Sequence, residues 1–397
     1  MTFTFGRQAL AGLVIWVLLG ISTAVVSQDE PRRVCSYDTL TITSDFSGGR
    51  VNGCEQLSGT HYRLTIEPED QPPINPSPWY AFKVTSEKTQ SITIDLVYSY
   101  AKHRYWPKRS TDQKQWSRLD SSDVSIMEDG SARLTFEVGA DPVFVAGQEM
   151  VLNKFHTSWA QKMAAQHDLD FVELGSSRQH NPIYKIETKG SAEARDYIFI
   201  VGRQHPPEVT GALALVPFAE AMFAGTELAQ RFRSEFGIII VPALNPDGVE
   251  KGHWRHNTGS TDLNRDWGPF TQPETVLMRD ELARFKSDQQ LWLFLDFHST
   301  ARNVLYTQAE NEVTKPVRFA AKWVEAVKPR TPNYVFERAE RPLTKLATSK
   351  NYVYATYGVP SITYEVGDET DRKLIEHTAA IFAEEMMRIL LEEKANQ

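Results

Sequence analysis

The chain predicts an α/β protein in two parts: an N-terminal antiparallel β-sandwich, then an α/β/α domain built on a mixed sheet. Three observations predict it. From about residue 35 to 148, short β-rich runs recur between turn residues. From 149 onward, strand-like and helix-like segments alternate, the pattern of a sheet covered by helices. The length, 397 residues, exceeds what one hydrophobic core usually reaches. The divisions fall at 1–28, 29–148 and 149–397. With 41% hydrophobic and 24% charged residues the composition is that of a globular protein. The net charge is −8 and no basic block stands out, so nucleic acid is not an expected partner.

Residues 1–28 read as an export signal. Arg7 gives a positive start, residues 9–26 are apolar apart from Ser22 and Thr23, and Ser22, Ala24 and Ser27 offer small residues for cleavage. The alternative is an uncleaved anchor, since this run is near the lower length limit for spanning a bilayer. After cleavage no membrane contact is expected, and the protein would be periplasmic or secreted. Export also favours a disulfide between Cys35 and Cys54, the only cysteines, with two free thiols as the alternative.

In the sandwich, strands are expected at 40–44, 62–66, 79–84, 92–98 and 132–138. Gly48-Gly49, the proline-rich 71–78 and Asp129-Gly130 supply the turns. The aromatics Trp79, Tyr80, Phe82, Tyr98, Tyr105, Trp106 and Trp116 are expected in core and inter-domain packing rather than on a ligand surface. A helix over 149–167 leads into the second domain. There strands are expected at 183–188, 197–201, 236–243, 291–297 and 361–365. Helices are expected at 207–230, 273–286, 316–328 and 372–394. Ligands of such sheets bind beyond the carboxyl ends of the strands. His205, Asn245, His298 and Glu365 stand at or just past the ends of four apolar runs, which points to one shared site. The polar stretch 248–266 reads as a long functional loop.

The chemistry centres on residues 202–210, GRQHPPEVT. A His at a strand end with a Glu three residues on can aim an imidazole and a carboxylate at one point, and zinc takes such nitrogen and oxygen ligands. His298 is the candidate third ligand. The loop adds Arg255, Asn264 and Arg265, whose donors suit a carboxylate. His253 and His256 read as ordinary loop residues.

Five motifs then stand in one order: His205-x-x-Glu208, Asn245-Pro-Asp-Gly, Asp262-Leu-Asn-Arg, a strand ending in His298, and Thr363-Tyr-Glu365. This order resembles the zinc carboxypeptidases of the carboxypeptidase A type. The chain is most similar to the cytosolic-carboxypeptidase-like, deglutamylase-like branch. That branch shares His-Pro-x-Glu, Asn-Pro-Asp-Gly-Val, an aromatic sandwich strand like WYAFKV at 79–84, and a segment like DFHSTARNVLY at 296–306. The resemblance covers residues 75–390.

The resemblance implies that His205, Glu208 and His298 hold one zinc ion, the known His₂Glu set of carboxypeptidase A. It implies Glu365 as general base and later acid, Arg255 as the group that polarises the scissile carbonyl, and Asn264 with Arg265 as the clamp on a terminal carboxylate. A position about fifteen residues before the catalytic Glu tunes the side-chain pocket in this family; Lys350 stands there (365 − 350 = 15). A buried ammonium favours a C-terminal Glu or Asp. The expected function is hydrolysis of the last peptide bond of peptide or protein tails, with preference for acidic ends. The alternatives are a periplasmic murein-peptide carboxypeptidase and a non-catalytic zinc module that binds C-terminal tails. Three features depart from the family. Pro206 and Pro207 replace an Arg between the first two ligands, no substrate-capping tyrosine can be placed, and the branch is named for cytosolic proteins.

Overall fold

In the computed structural model, the described residues are 33–70, 75–189, 196–286 and 289–396, with the first two of the chain. Nearly all of the expected signal lies outside them. The N-terminal part is a sandwich of two sheets. One runs Val34–Tyr37, Leu40–Thr43, Ala81–Ser86, Val143–Ala146, Lys108–Ser110 and Ser117–Arg118 in spatial order; the other runs Gly53–Ser58, His61–Ile66, Gln90–Tyr98, Ala132–Val138 and Val124–Ile126. The alternating residues Ile92, Ile94 and Leu96 stand beside Leu134 and Phe136 of the neighbouring strand in a shared core, as half-buried strands require. All pairings are antiparallel except His61–Ile66 with Gln90–Tyr98, which is parallel. A Cys35–Cys54 disulfide ties the first sheet to the second.

The C-terminal part is an eight-stranded mixed sheet. Its spatial order is Leu169–Ser176, Pro182–Thr188, Gly237–Val241, Asp196–Gly202, Gln290–Thr300, Ser361–Gly367, Val304–Thr307 and Glu337–Glu340. The central strands read as unbroken apolar runs because both faces are covered. In Asp196–Gly202, Ile198 and Ile200 join the core under the helices Asn153–His167, Val209–Phe223 and Arg372–Ala395. Tyr197, Phe199 and Val201 join the opposite core with Leu263, Trp267, Met278 and Val353. That alternation places an α layer on each side of the sheet.

Three expected elements are corrected. The helix expected over 207–230 is two helices, Val209–Phe223 and Glu227–Glu235, bent by 89°. Ala224 closes the first, and Thr226 caps the second, accepting from the Ala229 amide at 3.2 Å. His298 and Glu365 lie inside their strands, Gln290–Thr300 and Ser361–Gly367, rather than at the ends. The polar loop is framed by two short helices, Pro246–Lys251 and Leu263–Arg265.

The sandwich and the sheet domain have separate cores yet belong to one compact unit, residues 32–397. Ion pairs join them, with Arg104 on Asp368 at 2.8 Å and Arg118 on Glu369 at 3.3 Å. Among the described residues, no single helix is long and apolar enough to cross a membrane.

Candidate active site

The strand Asp196–Gly202 ends in a turn that only a special backbone allows. Arg203 has φ 58°, in the left-handed region. Its buried guanidinium holds the turn, donating to the Pro206 carbonyl at 2.7 Å and the Val151 carbonyl at 2.9 Å. Burial brings its pKa down to about 10, so it stays charged at neutral pH. This turn brings His205 back over the sheet, with Glu208 at the start of the next helix.

That helix sits unusually close to the strand bearing His298. A Cβ on Gly211 would lie 2.4 Å from the His298 carbonyl oxygen, so only glycine fits. The Gly211 amide donates to Ser299 Oγ at 2.8 Å, and Thr210 donates to the same oxygen at 2.9 Å. On the other side, His298 and Glu365 are direct register partners on neighbouring parallel strands. Three elements thus bring His205, Glu208, His298 and Glu365 together.

The ligand atoms of His205, Glu208 and His298 all lie within 4.8 Å of one another. Nδ1 of His205 faces Glu208 Oε1 at 2.8 Å, and Nδ1 of His298 faces Oε2 at 2.7 Å. The far nitrogens are both committed: His205 Nε2 donates to Asp262 at 2.9 Å, and His298 Nε2 to Asp296 at 2.8 Å. Carboxylates behind metal-binding imidazoles fix the ring and raise its basicity. Burial disfavours charge on both imidazoles, but Glu208 and Asp262 draw His205 upward, and Asp296 and Glu208 draw His298 well upward. Burial also opposes ionisation of Glu208, yet the two histidines hold it far below the usual carboxylate range. A field that draws protons to two imidazoles over an ionised carboxylate also draws a cation. The donor set and its backing fit zinc.

Glu365 contributes an orphan acceptor: its Oε2 is buried without a hydrogen-bond partner among the described residues. Burial, with Glu208 and Asp296 adding to it, raises its pKa to about 7. Arg255 anchors Nε on Asp262 Oδ2 at 2.8 Å, so one carboxylate orients both His205 and Arg255. The Arg255 backbone is held from the sandwich. Glu69 Oε1 accepts the amides of Trp254, Arg255 and His256 at 3.1, 2.7 and 2.9 Å. Asn264 Oδ1 accepts from the Ser349 amide at 2.9 Å, and Arg265 donates to the Asn264 carbonyl at 2.7 Å.

All of these side chains except Glu69 and the aspartates line one cavity of about 440 Å³. Lys350 lines it too, from the helix Ser349–Tyr357, with Nζ donating to the Arg341 carbonyl at 2.8 Å. Burial lowers its pKa to about 8, against an upward pull from Glu312. Every site residue expected from sequence except Asn245 therefore reaches one place. Asn245 does not line the cavity; it caps Pro246–Lys251 and donates to the Gln204 carbonyl at 3.0 Å. Sequence reasoning missed Arg104, Tyr105, Tyr306 and Arg341 in the wall. It also missed Asp262 and Asp296, although both stand inside quoted motifs. His253 and His256 are loop residues bonded within the loop and to Asp70.

Residues 156–388 match the family model described as zinc carboxypeptidase. The chain belongs to the zinc carboxypeptidase family. Residues 42–147 match the cytosolic carboxypeptidase N-terminal domain. Among curated proteins, the chain is 25% identical over 256 residues to an uncharacterized protein of Zymomonas mobilis, covering 62% of this chain and 65% of that protein. It is 24% identical over 291 residues to cytosolic carboxypeptidase 6 of Mus musculus, covering 66% and 53%. The matches thus span between half and two thirds of those relatives. Among solved structures, a metallo-carboxypeptidase from Burkholderia cenocepacia superposes with a TM-score of 0.74 at 19% identity, over 90% of this chain and all of that one. One from Pseudomonas aeruginosa gives 0.72 at 19%, over 89% and 99%. These likenesses establish the fold, and zinc is the metal of the family the chain belongs to.

Proposed function

We propose that this protein hydrolyses the last peptide bond of peptide or protein tails and prefers an acidic final residue. The observation that carries the reading is the orphan Glu365 carboxylate, placed in register beside His298 and within one cavity with Arg255, Asn264 and Arg265. When bound by His205, Glu208 and His298, zinc supplies Lewis acidity, which polarises a carbonyl and acidifies water toward neutrality. Glu365 takes the proton of the attacking water, whose oxygen adds to the scissile carbonyl carbon. Arg255, fixed by Asp262, faces the negative charge that develops on the carbonyl oxygen; a donor of this kind commonly contributes about 2.7–4 kcal/mol. Glu365 then gives its proton to the leaving nitrogen as the C–N bond breaks. Asn264 and Arg265 hold the substrate's terminal carboxylate and so restrict cutting to chain ends.

Lys350 supports the acidic preference, with its buried ammonium in the wall of the same cavity. Similarity to a cytosolic carboxypeptidase adds to the reading. Export through residues 1–28 is part of the proposal. The Cys35–Cys54 disulfide supports it, since such bonds persist in oxidising compartments. Mass measurement of the mature N-terminus tests that part. For the activity, a peptide panel varying only in its last residue is incubated with zinc-loaded protein and read by mass spectrometry. Release of a single Glu or Asp, abolished by chelation and by Glu365→Gln, is the expected result. Tight tail binding without release in the wild type would instead favour a binding module.

A further inference from the structure

We propose that Arg104, supplied by the sandwich, reads an acidic side chain of the substrate upstream of the bond that is cut. The inference rests on the peptidase reading above. It starts from where the groups stand along one strand. Ser349 bonds Asp296, the register partner of Thr363. Lys350 and the Asn264–Ser349 contact are therefore level with Thr363. Glu365, opposite His298, is two residues further along. Asp368 is three residues beyond that and still tied to the neighbouring strand, its amide donating to the Thr300 carbonyl at 2.8 Å. Arg104 Nε donates to Asp368 Oδ2 at 2.8 Å. At about 3.3 Å per residue, Arg104 is anchored ~10 Å past Glu365, on the side opposite Lys350.

A tail whose terminal carboxylate meets Asn264 and Arg265, and whose last side chain meets Lys350, must run its upstream residues past Arg104. An extended chain advances about 3.3–3.6 Å per residue, so the side chains in reach lie within about three residues of the scissile bond. The guanidinium is ready to receive one. Its carbon lies 5.0 Å from the Tyr105 ring and 5.9 Å from the Trp254 ring. Trp254 is itself fixed by donating to the Tyr105 hydroxyl at 2.9 Å. The Asp368 bond uses only Nε; the terminal amino groups have no partner among the described residues, and Arg104 lines the cavity. The wall as a whole favours an anion. Arg104, Arg255, Arg265, Arg341 and Lys350 line it against Glu208 and Glu365.

The test measures binding, so it does not depend on turnover. N-acetylated peptides ending in Glu carry one further Glu, or Gln in its place, at each of the three upstream positions. Their Kd values are measured by calorimetry on zinc-loaded Glu365→Gln protein, with and without Arg104→Met. At one position Glu should bind about two- to fivefold tighter than Gln, the scale of a partly exposed charged pair. Arg104→Met should bring that ratio to about one, and Arg104→Lys should keep part of it. The ratio is a property of whatever protein is folded, so a lower yield of a variant leaves it readable. No difference at any position, or a ratio that survives Arg104→Met, would overturn the proposal. Wild-type cleavage of the same peptides is measured alongside. Its absence would remove the peptidase reading, while the binding ratio would still decide Arg104.

Discussion

Asp262 receives His205 on one oxygen and Arg255 on the other, which makes one carboxylate responsible for both a candidate metal ligand and a cation of the cleft. Replacing it with Ala frees both. Zinc affinity should fall about 10- to 100-fold, the usual loss when such a backing carboxylate is removed. Competition with a fluorescent chelator measures this, and an unchanged zinc Kd would show that His205 holds its orientation unaided. Lys350 makes a prediction in pH. Burial lowers its pKa to about 8, so it is charged below that value and neutral above it. The preference for Glu over Gln at the chain end should therefore be present at pH 6–7 and fade as pH rises through about 8. Lys350→Ala should lack the preference at both ends of the range. A preference that persists at pH 9.5 would assign it to another group, with Arg341 the first to examine.

The helix Val209–Phe223 depends on Gly211 to approach the His298 strand. Gly211→Ala should cost about 1–3 kcal/mol of stability, as overpacking does, and it should lower zinc affinity by pushing Glu208 away. Thermal melts with and without zinc separate the two effects, and equal losses in both would mean that the ligand geometry is unaffected. Much at this scale was legible beforehand. The apolar runs gave the central strands, and the motif order gave the three residues of the candidate metal site and Glu365 beside them. What was not legible has physical causes. In the 207–230 segment the break is marked only by Gly225 and Thr226, of which Thr226 caps the second helix. Strand Leu169–Ser176 went unseen because it is an edge strand whose alternation is broken by a bulge between Glu173 and Gly175. Asp262 and Asp296 stand in motifs that could be quoted, but their partners are set by packing. Asp262 meets a histidine 57 residues away.

At the scale of the whole molecule, the sandwich completes the cleft. Glu69 comes from the sandwich and closes on three successive amides of the Arg255 loop, 185 or more residues distant. No local pattern in the chain announces such a contact. Burial works against its charge, but His253 and the loop amides hold its pKa at about 2, so it is ionised under ordinary conditions. Glu69→Ala should lower kcat about tenfold with zinc content unchanged, and it should speed hydrogen exchange at residues 254–256. Glu69→Gln keeps an acceptor and should recover most of both. An Ala variant with wild-type kcat would show that the loop stands by itself.

The same contact makes the two cores thermodynamically linked. Whatever free energy a seated tail gains by finding the Arg255 loop already ordered, it returns to the sandwich that orders it, by the same factor. A ligand in the cleft should thus raise the unfolding temperature of the sandwich as well as that of the sheet domain. Conversely, a macromolecule that grips the outside of the sandwich acquires control over affinity at the metal centre.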